Sequence, residues 1–345
     1  MKAFQWILIV MILCGSTALA AQSNVSHYRV ANRFHVDGDG FWDLLAVDDA
    51  TGRVFLSHGT VVDVVDGKTG ALIAAIQDTK GVHGIALARD VKEGFITCGR
   101  DSCVAIFNLD SLKVTARVPV TGKNPDAILY EPSTHRAFAF NGGSANATVI
   151  DAKTNKVVGT VVLGGKPEMP ATDGKGTVYI NLEDKSLVDV IDAGTMKVKA
   201  EWPMAPGQEP SGMAMDAATR RLFIACNNKM MIVMDADNGK IVANLPIGER
   251  VDGADFDPGL KRAYSSNGDG TLTVVQEADA NSFTVLENVA TQIGARTLAI
   301  DTKTHHIYLP TAGFGPAPAP TPERSRPRPT ILPGSFVILD VEPVK

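Results

Sequence analysis

A unit of about 42 residues repeats seven times along the chain. Each copy contains a short strand-forming run that ends at an acidic or equivalent anchor position, and successive anchors are 41 to 44 residues apart. The seven anchors are Asp48, Arg89, Glu131, Asp173, Asp216, Asp257 and Asp301. A regular period of this length is typical of arrays in which each unit buries its apolar face against its neighbours.

Each unit consists of four short strand-like runs joined by turns. The runs are four to six residues long, rich in β-branched side chains, and bounded by Gly, Asp, Asn and Pro, as at 49–52 and 67–70. This pattern is typical of hairpins and not of helices. It predicts an all-β fold, a seven-bladed β-propeller of four-stranded antiparallel blades. The alternative, two stacked sandwiches, would not require so regular a period.

The two ends of the repeat predict how the ring closes. The seventh unit has only three strands after Thr297, whereas residues 28–36 form an unmatched strand-like run before the first unit. We therefore expect the N-terminal strand to complete the last blade. Residues 21–345 then form a single propeller domain.

The first twenty residues have the pattern of a secretory signal peptide. An apolar run of about ten residues follows Lys2, and Ala-Leu-Ala at 18–20 supplies a cleavage motif before Ala21. The run is too short to span a bilayer stably. We expect a cleaved signal peptide at 1–20, a periplasmic or secreted mature protein, and no membrane span after cleavage.

The charge balance bears on the class of partner. The chain has 33 Lys and Arg against 38 Asp and Glu, a formal net charge of −5. We therefore expect no binding of nucleic acid or of anionic lipid in bulk. The expected partner is a small polar ligand or a periplasmic protein, and the expected state is a monomer.

Two cysteines flank one predicted turn. Four residues separate Cys98 from Cys103, and cross-strand neighbours at such a turn can reach disulfide geometry in an oxidising compartment. The sequence leaves two alternatives, a hairpin disulfide between Cys98 and Cys103 or two half-buried thiols.

Short phrases within the units resemble a known family. Residues 149–168 contain Val-Ile-Asp, Thr-Asn-Lys-Val-Val-Gly-Thr-Val and Gly-Lys-Pro-Glu. Together with the repeat they resemble the YVTN-repeat propellers, specifically the YncE-like group of exported bacterial proteins, over essentially the whole mature chain. The resemblance implies the propeller fold and export. It carries no catalytic residue set, because such propellers serve variously as ligand-binding, partner-binding or enzyme-associated modules.

A ring of polar residues is predicted where the chain enters each inner strand. The positions five residues before the anchors are Asp43, Gly84, Asp126, Glu168, Ser211, Asp252 and Arg296, and His83 precedes Gly84. Convergent polar groups around a narrow channel are typical of a ligand site. An oxygen-rich cluster suits Ca²⁺ or Mg²⁺ better than Zn²⁺, with Asp126, Glu168 and Asp252 as candidate ligands. The alternative is that these side chains cap backbone groups and that Arg296 neutralises its neighbours.

Two further features are expected on the same face. His58 and Arg100 lie in loops between the second and third strands, and turn chemistry does not explain either of them. In the last blade the same loop is extended over residues 310–334, which we call the arm. It contains eight of the nineteen prolines and Arg324, Arg326 and Arg328. A stiff, proline-rich segment at this position is a candidate lid or docking arm, although a neutral insertion is also compatible with it.

Two functions remain open from the sequence. The first is a non-catalytic binding module that holds a ligand or a protein at the acidic rim, with no catalytic residue assigned. The second is a metal-dependent, lactonase-like hydrolase in which the acidic ring holds a divalent cation and His83 or a ring carboxylate moves a proton.

Overall fold

The computed structural model describes residues 27–38, 41–319, 321 and 329–344. The predicted signal peptide at 1–20 lies outside these residues, as do Arg324, Arg326 and Arg328 of the arm. Within the described residues, 28 strands form seven four-stranded antiparallel sheets. The predicted all-β, seven-bladed propeller is confirmed.

The strands follow one another regularly, and each blade runs from the inner to the outer strand. Blade 1 contains β2 (Trp42–Asp48), β3 (Arg53–His58), β4 (Val61–Asp66) and β5 (Leu72–Ile76); blade 2 contains β6 (Val82–Ala88), β7 (Glu93–Cys98), β8 (Cys103–Asn108) and β9 (Val114–Pro119); blade 3 contains β10 (Pro125–Glu131), β11 (Arg136–Asn141), β12 (Asn146–Asp151) and β13 (Lys156–Val162). Blade 4 contains β14 (Pro167–Thr172), β15 (Thr177–Leu182), β16 (Leu187–Asp192) and β17 (Lys197–Pro203); blade 5 contains β18 (Pro210–Asp216), β19 (Arg221–Cys226), β20 (Met230–Asp235) and β21 (Ile241–Pro246); blade 6 contains β22 (Val251–Asp257), β23 (Arg262–Asn267), β24 (Thr271–Asp279) and β25 (Ser282–Ala290).

The seventh blade joins the two ends of the chain. It contains β26 (Ala299–Asp301), β27 (His306–Thr311) and β28 (Val337–Pro343), and its outer strand is β1 (Tyr28–His35), which pairs antiparallel with β28. The hydroxyl of Tyr28 also forms a 2.7 Å hydrogen bond with that of Tyr264 in blade 6. The N-terminal strand therefore completes the last blade, as its unmatched pattern predicted.

The apolar core lies between neighbouring blades. Phe55 of blade 1 and Phe107 of blade 2, for example, are both fully buried and their ring centroids are 5.7 Å apart. Because each sheet covers the face of the next, a blade is stabilised only within the ring.

A bulge interrupts the inner strand at the same place in blades 1 to 6. The register shifts lie between Trp42 and Leu45, Val82 and Ile85, Pro125 and Ile128, Pro167 and Pro170, Pro210 and Gly212, and Val251 and Gly253. A bulge leaves one residue unpaired and re-aims its side chain. The predicted ring positions of these blades lie within the bulges.

Small side chains allow the inner strands to approach one another at the bulges. A Cβ at Gly84 would lie 2.7 Å from the backbone oxygen of Asp126, and a Cβ at Gly212 would lie 2.7 Å from the amide nitrogen of Ala254. Both positions therefore require glycine. The bulge leaves the amide of Gly84 without a partner in the strand ladder. This amide donates instead to Oγ1 of Thr97 on the second strand, at 2.7 Å.

Candidate functional site

The structure places the predicted rim residues at one equivalent position, the second residue of each inner strand. In blade 2 this residue is His83 and not Gly84, because β6 ends at Ala88, one residue before the Arg89 from which the prediction counts. Arg296 lies just before the short inner strand of blade 7. The ring is therefore more regular than the sequence indicated, and His83 belongs to it.

Most of these side chains line one cavity of about 280 Å³, which we call the ring cavity. Its lining residues are Phe41, Asp43, Leu44, His83, Asp126, Ala127, Lys166, Glu168, Met169, Glu183, Asp252 and Arg296. Five carboxylates face two permanent cations and one histidine there. The cavity is therefore strongly polar and has an excess of negative charge.

Three ring residues form a compact cluster. Nδ1 of His83 lies 2.6 Å from Oδ2 of Asp43 and 3.7 Å from Oδ1 of Asp126, and the three residues can offer ligand atoms within 4.8 Å of one another. Burial alone would lower the pKa of His83, but the hydrogen bond with Asp43 and the charge of Asp126 outweigh it and raise that pKa above its ordinary value.

Asp126 is the least compensated carboxylate of this cluster. His83 is its one ion-pair contact within 4 Å among the described residues. Burial, together with the negative charge of Asp43, raises the pKa of Asp126 to about 6. Its ionised form is therefore costly in the folded protein, and a cation in the cavity would relieve that cost.

The other two metal candidates from the sequence are each paired with a basic side chain. Lys166 Nζ lies 2.5 Å from Oε1 of Glu168 and 2.5 Å from Oε2 of Glu183. Arg296 Nε donates to Oδ2 of Asp252 at 2.6 Å. The structure thus brings Asp126 together with Asp43 and His83, and it places Glu168 and Asp252 in separate ion pairs.

Burial also acts on the two paired carboxylates. It raises the pKa of Glu168, and Lys166 opposes that rise. It raises the pKa of Asp252 likewise, where Arg296 opposes it. Keeping these carboxylates ionised therefore costs desolvation free energy at several positions in the cavity.

The counted ring positions omit three contributors to the cavity. Lys166 and Glu183 reach it from outside the counted positions, although the Gly-Lys-Pro-Glu phrase carries the lysine two residues before the ring residue of blade 4. Phe41 lies beneath the Arg296 guanidinium, with 5.3 Å between Cζ and the ring centroid. Only the packing of blade 7 beside blade 1 reveals this cation–π contact.

Three predicted site residues lie outside the ring cavity. Ser211 is buried, and its Oγ donates to the carbonyl of Val251 at 2.8 Å, which joins blades 5 and 6. His58 is buried and its Nδ1 lies 2.8 Å from Oδ2 of Asp63. Arg100 lines a neighbouring cavity of about 610 Å³, whose wall also contains His83.

The base of the arm borders a second, apolar cavity of about 420 Å³, which we call the arm cavity. Its lining residues are Phe41, Trp42, Arg250, Asp252, Gly268, Ile293, Gly294, Arg296, Phe314, Pro329 and Ile331. The amide of Gly315 donates to the carbonyl of Thr330 at 2.8 Å, and Phe314 and Ile331 pair across the loop. The described part of the arm therefore lies on the face of the ring cavity, as its position in the repeat predicted.

Cys98 and Cys103 lie directly opposite each other across the hairpin of β7 and β8. Both are buried and both are free thiols in the structure, so the disulfide alternative is not the state seen there. The hairpin register brings the two residues together, whereas a covalent bond also requires oxidation.

Known proteins resemble the chain over part of its sequence and most of its fold. No protein-family model matches it. It is 28% identical to the uncharacterised protein YncE of Escherichia coli K12 over 152 residues, which are 40% of this chain and 42% of YncE. It is also 28% identical to YncE of Salmonella typhi over 173 residues, which are 50% of this chain and 42% of that protein. The match thus spans less than half the length of these relatives.

Solved structures with the same architecture are more distant in sequence. They include hydrazine synthase of Kuenenia stuttgartiensis (TM-score 0.69, 15% identity, 80% of this chain and 94% of that chain) and a chain of the mitotic checkpoint complex (TM-score 0.68, 14% identity, 90% and 95%). A third is U3-55K (TM-score 0.71, 10% identity, 92% and 98%). At these identities the likeness concerns the fold alone.

The structure is a seven-bladed β-propeller with an acid-rich cavity lined by residues at the start of its inner strands. The sequence similarity to YncE, taken with this fold, supports its place among the YncE-like propellers. Across the described residues, no helix has the length and hydropathy that a membrane crossing requires.

Proposed function

We propose that this protein is an exported, non-catalytic binding module that holds a cationic group of a small ligand in the ring cavity. The observation that supports this most directly is the negative surplus around Asp126, whose one ion-pair contact within 4 Å among the described residues is His83 at 3.7 Å. A bound cation would stabilise this carboxylate in its ionised form. A periplasmic protein that presents a lysine or arginine side chain is the other candidate partner.

Export is part of the same proposal. Lys2, the apolar run after it and the Ala-Leu-Ala motif support a cleaved signal peptide. Expression of the whole chain in a Gram-negative host should give a periplasmic protein whose N-terminal sequence starts near Ala21. A full-length protein retained in the cytoplasm would contradict it.

Calorimetric titration with simple cations tests cation capture. The probes are Ca²⁺, Mg²⁺, Mn²⁺, ethylamine and 2-phenylethylamine at pH 7.5, with wild type, Asp126→Asn and Asp110→Asn. Asp110 is a matched control, because its side chain is 74% exposed and outside the ring cavity. At least one probe should bind wild type and Asp110→Asn, and bind Asp126→Asn about 10-fold more weakly. Failure of every probe to bind wild type would overturn the proposal.

The alternative is a metal-dependent hydrolase of the lactonase kind. The specific observation in its favour is the Asp43, His83 and Asp126 cluster, whose two carboxylates and one imidazole fit a divalent ion. The sequence predicted three carboxylate ligands, Asp126, Glu168 and Asp252. A set that includes the imidazole of His83 suits Mn²⁺ or Zn²⁺ better than those three carboxylates do. Against it, Arg296 Nη2 lies 3.7 Å from Oδ1 of Asp43 and competes for that carboxylate.

Metal dependence distinguishes the two functions. If the cluster is a metal site, Mn²⁺ or Zn²⁺ should raise the melting temperature of EDTA-treated wild type and leave that of His83→Ala unchanged. Lactone hydrolysis should then also require the ion. An unchanged melting temperature with Ca²⁺, Mg²⁺, Mn²⁺ and Zn²⁺ would remove the hydrolase alternative and leave the organic-cation proposal standing.

A further inference from the structure

The ring cavity and the arm cavity adjoin each other. Phe41, Asp252 and Arg296 line both of them, so one molecule can occupy the two spaces at once. Their volumes of about 280 and 420 Å³ together fall within the range of small-molecule sites. The two cavities differ sharply in chemistry, since one is lined mainly by charged groups and the other mainly by apolar side chains.

Among the described residues, the wall of the arm cavity includes exposed apolar surface. Ile293 is 59% exposed, although it lies at the wall of this cavity. Trp42 forms the floor, with its ring centroid 6.1 Å from that of Phe314 and 5.0 Å from that of Phe336. Exposed apolar side chains above a rigid aromatic floor are typical of a site for an aromatic or alkyl group.

The charges of the two cavities orient an occupant. The negative surplus of the ring cavity attracts a cation, whereas Arg250 and Arg296 line the arm cavity, where Asp252 is the one acidic side chain among the described lining residues. A second positive group in the arm cavity would meet these guanidinium groups. The charge pattern therefore favours a ligand with one ammonium group and a neutral body over a diamine.

We propose that the ligand is an amphipathic monoamine, with its ammonium group in the ring cavity and its aromatic or alkyl body in the arm cavity. This inference rests on the proposed function, because it assigns the chemical class of the cation that the ring captures. It adds a role for the arm, whose Phe314, Pro329 and Ile331 form part of the apolar wall.

Four probes separate the contributions of charge and apolar body. Calorimetric titration at pH 7.5 compares 2-phenylethylamine with ethylamine, which lacks the body, with cadaverine, which has a second ammonium group, and with phenylacetate, which carries the opposite charge. 2-Phenylethylamine should bind at least about 10-fold more tightly than ethylamine, because burial of a phenyl ring adds apolar stabilisation. It should also bind at least about 10-fold more tightly than cadaverine, and phenylacetate should not bind.

Matched variants assign the apolar body to the arm cavity. Ile293→Ser should weaken 2-phenylethylamine about 5-fold and leave ethylamine unchanged, since one apolar wall residue is lost. Leu72→Ser is the control, because Leu72 is 60% exposed on β5 and absent from the walls of both cavities. Both exposed positions should accept serine without loss of fold, which the melting temperature checks.

The outcomes distinguish this inference from the proposed function. Equal affinities for 2-phenylethylamine and ethylamine, both reduced in Asp126→Asn, would overturn the amphipathic ligand and leave cation capture in place. Tighter binding of cadaverine or of phenylacetate than of 2-phenylethylamine would also overturn it, because the charge pattern would then be misassigned. Binding of no amine and no metal would overturn both proposals.

Discussion

Asp126 combines a bulged backbone position, burial and two acidic neighbours in one residue. Its carboxylate faces Asp43 across His83, and Asp252 adds further negative charge. Natural proteins usually pair such a carboxylate with a base, as this protein does for Glu168 and Asp252. A carboxylate left undercompensated is typical of a functional site, where stability is traded against binding.

Asp126→Asn should therefore stabilise the protein and weaken cation binding. The pKa of Asp126 is raised from 3.8 to about 6, so the folded state holds this proton more tightly than the unfolded state, and stability falls as the pH rises from about 4 to about 6 and stays lower above that range. We expect a gain of about 1–2 kcal/mol at pH 7.5 in urea unfolding. The gain should vanish below about pH 4, where wild type is protonated in both states.

The control for this prediction is Asp189→Asn. Burial raises the pKa of Asp189 to about 6 as well, but this residue lies on β16 and not at the ring cavity. The Asp189→Asn variant should gain similar stability and keep the wild-type affinity for the cation. A destabilised Asp126→Asn variant would show that the carboxylate is structural.

Cation affinity should fall as the pH falls through about 6. Protonation of Asp126 removes a negative charge, and protonation of His83, whose pKa is raised, adds a positive one; both changes oppose the cation. Lys166 and Arg296 face the same cavity and keep their charge throughout this range. Titrations at pH 7.5 and pH 5 should differ about 10-fold in affinity for wild type and less for Asp126→Asn, in which His83, Glu168 and Asp252 still titrate. A pH-independent affinity would exclude Asp126 from the site.

At the level of elements, strand β1 closes the ring through a few strong contacts. Tyr28 is fully buried, and its hydroxyl accepts a hydrogen bond from Nη1 of Arg262 at 2.8 Å in addition to its contact with Tyr264. These contacts join residues more than 230 positions apart in the chain. They connect blade 7 to blade 6 through a strand that sequence order places before blade 1.

Tyr28→Ala should therefore destabilise the whole propeller. Loss of a buried aromatic side chain costs about 3–5 kcal/mol, and urea unfolding measures it. Arg29→Ala on the same strand is the matched control, because Arg29 is 67% exposed in its ion pair with Glu342 and should contribute less than about 1 kcal/mol. If Tyr28→Ala lowered the free energy of unfolding as little as Arg29→Ala, β1 would be dispensable for closure.

The arm illustrates how an insertion becomes part of a site. Its repeat position alone predicts the face on which it emerges. The packing of Phe314 on Trp42 and its pairing with Ile331 depend on tertiary structure, because Trp42 belongs to blade 1 and the arm to blade 7. The proline content indicates stiffness but does not identify which residues of the arm contact the ring.

At the level of the whole molecule, each blade has two edge strands, and the outer one has the edge that faces away from the inner strands. Each of the seven outer strands, β1, β5, β9, β13, β17, β21 and β25, has a bulge or irregularity in its pairing. Bulges at an edge discourage pairing with a second copy.

We therefore expect a monomer over the micromolar range, and light scattering coupled to gel filtration measures it. Val162, 78% exposed on β13, is the most exposed large apolar side chain among the described residues. A concentration-dependent dimer that Val162→Lys abolishes would contradict the monomer and locate the interface on blade 3.

The amino-acid sequence by itself determined the number of blades, their order and the closing strand, because a constant period of strand-forming runs has one economical solution in a closed ring. It also indicated most ring carboxylates, since their distance from each anchor is nearly constant. Only the tertiary structure decided that His83 occupies the ring position of blade 2, that Lys166 and Arg296 each neutralise one carboxylate, and that Asp126 is left with a surplus of negative charge. The physical reason is that register within a bulged strand and charge balance across a cavity depend on contacts between distant residues, which a local pattern does not encode.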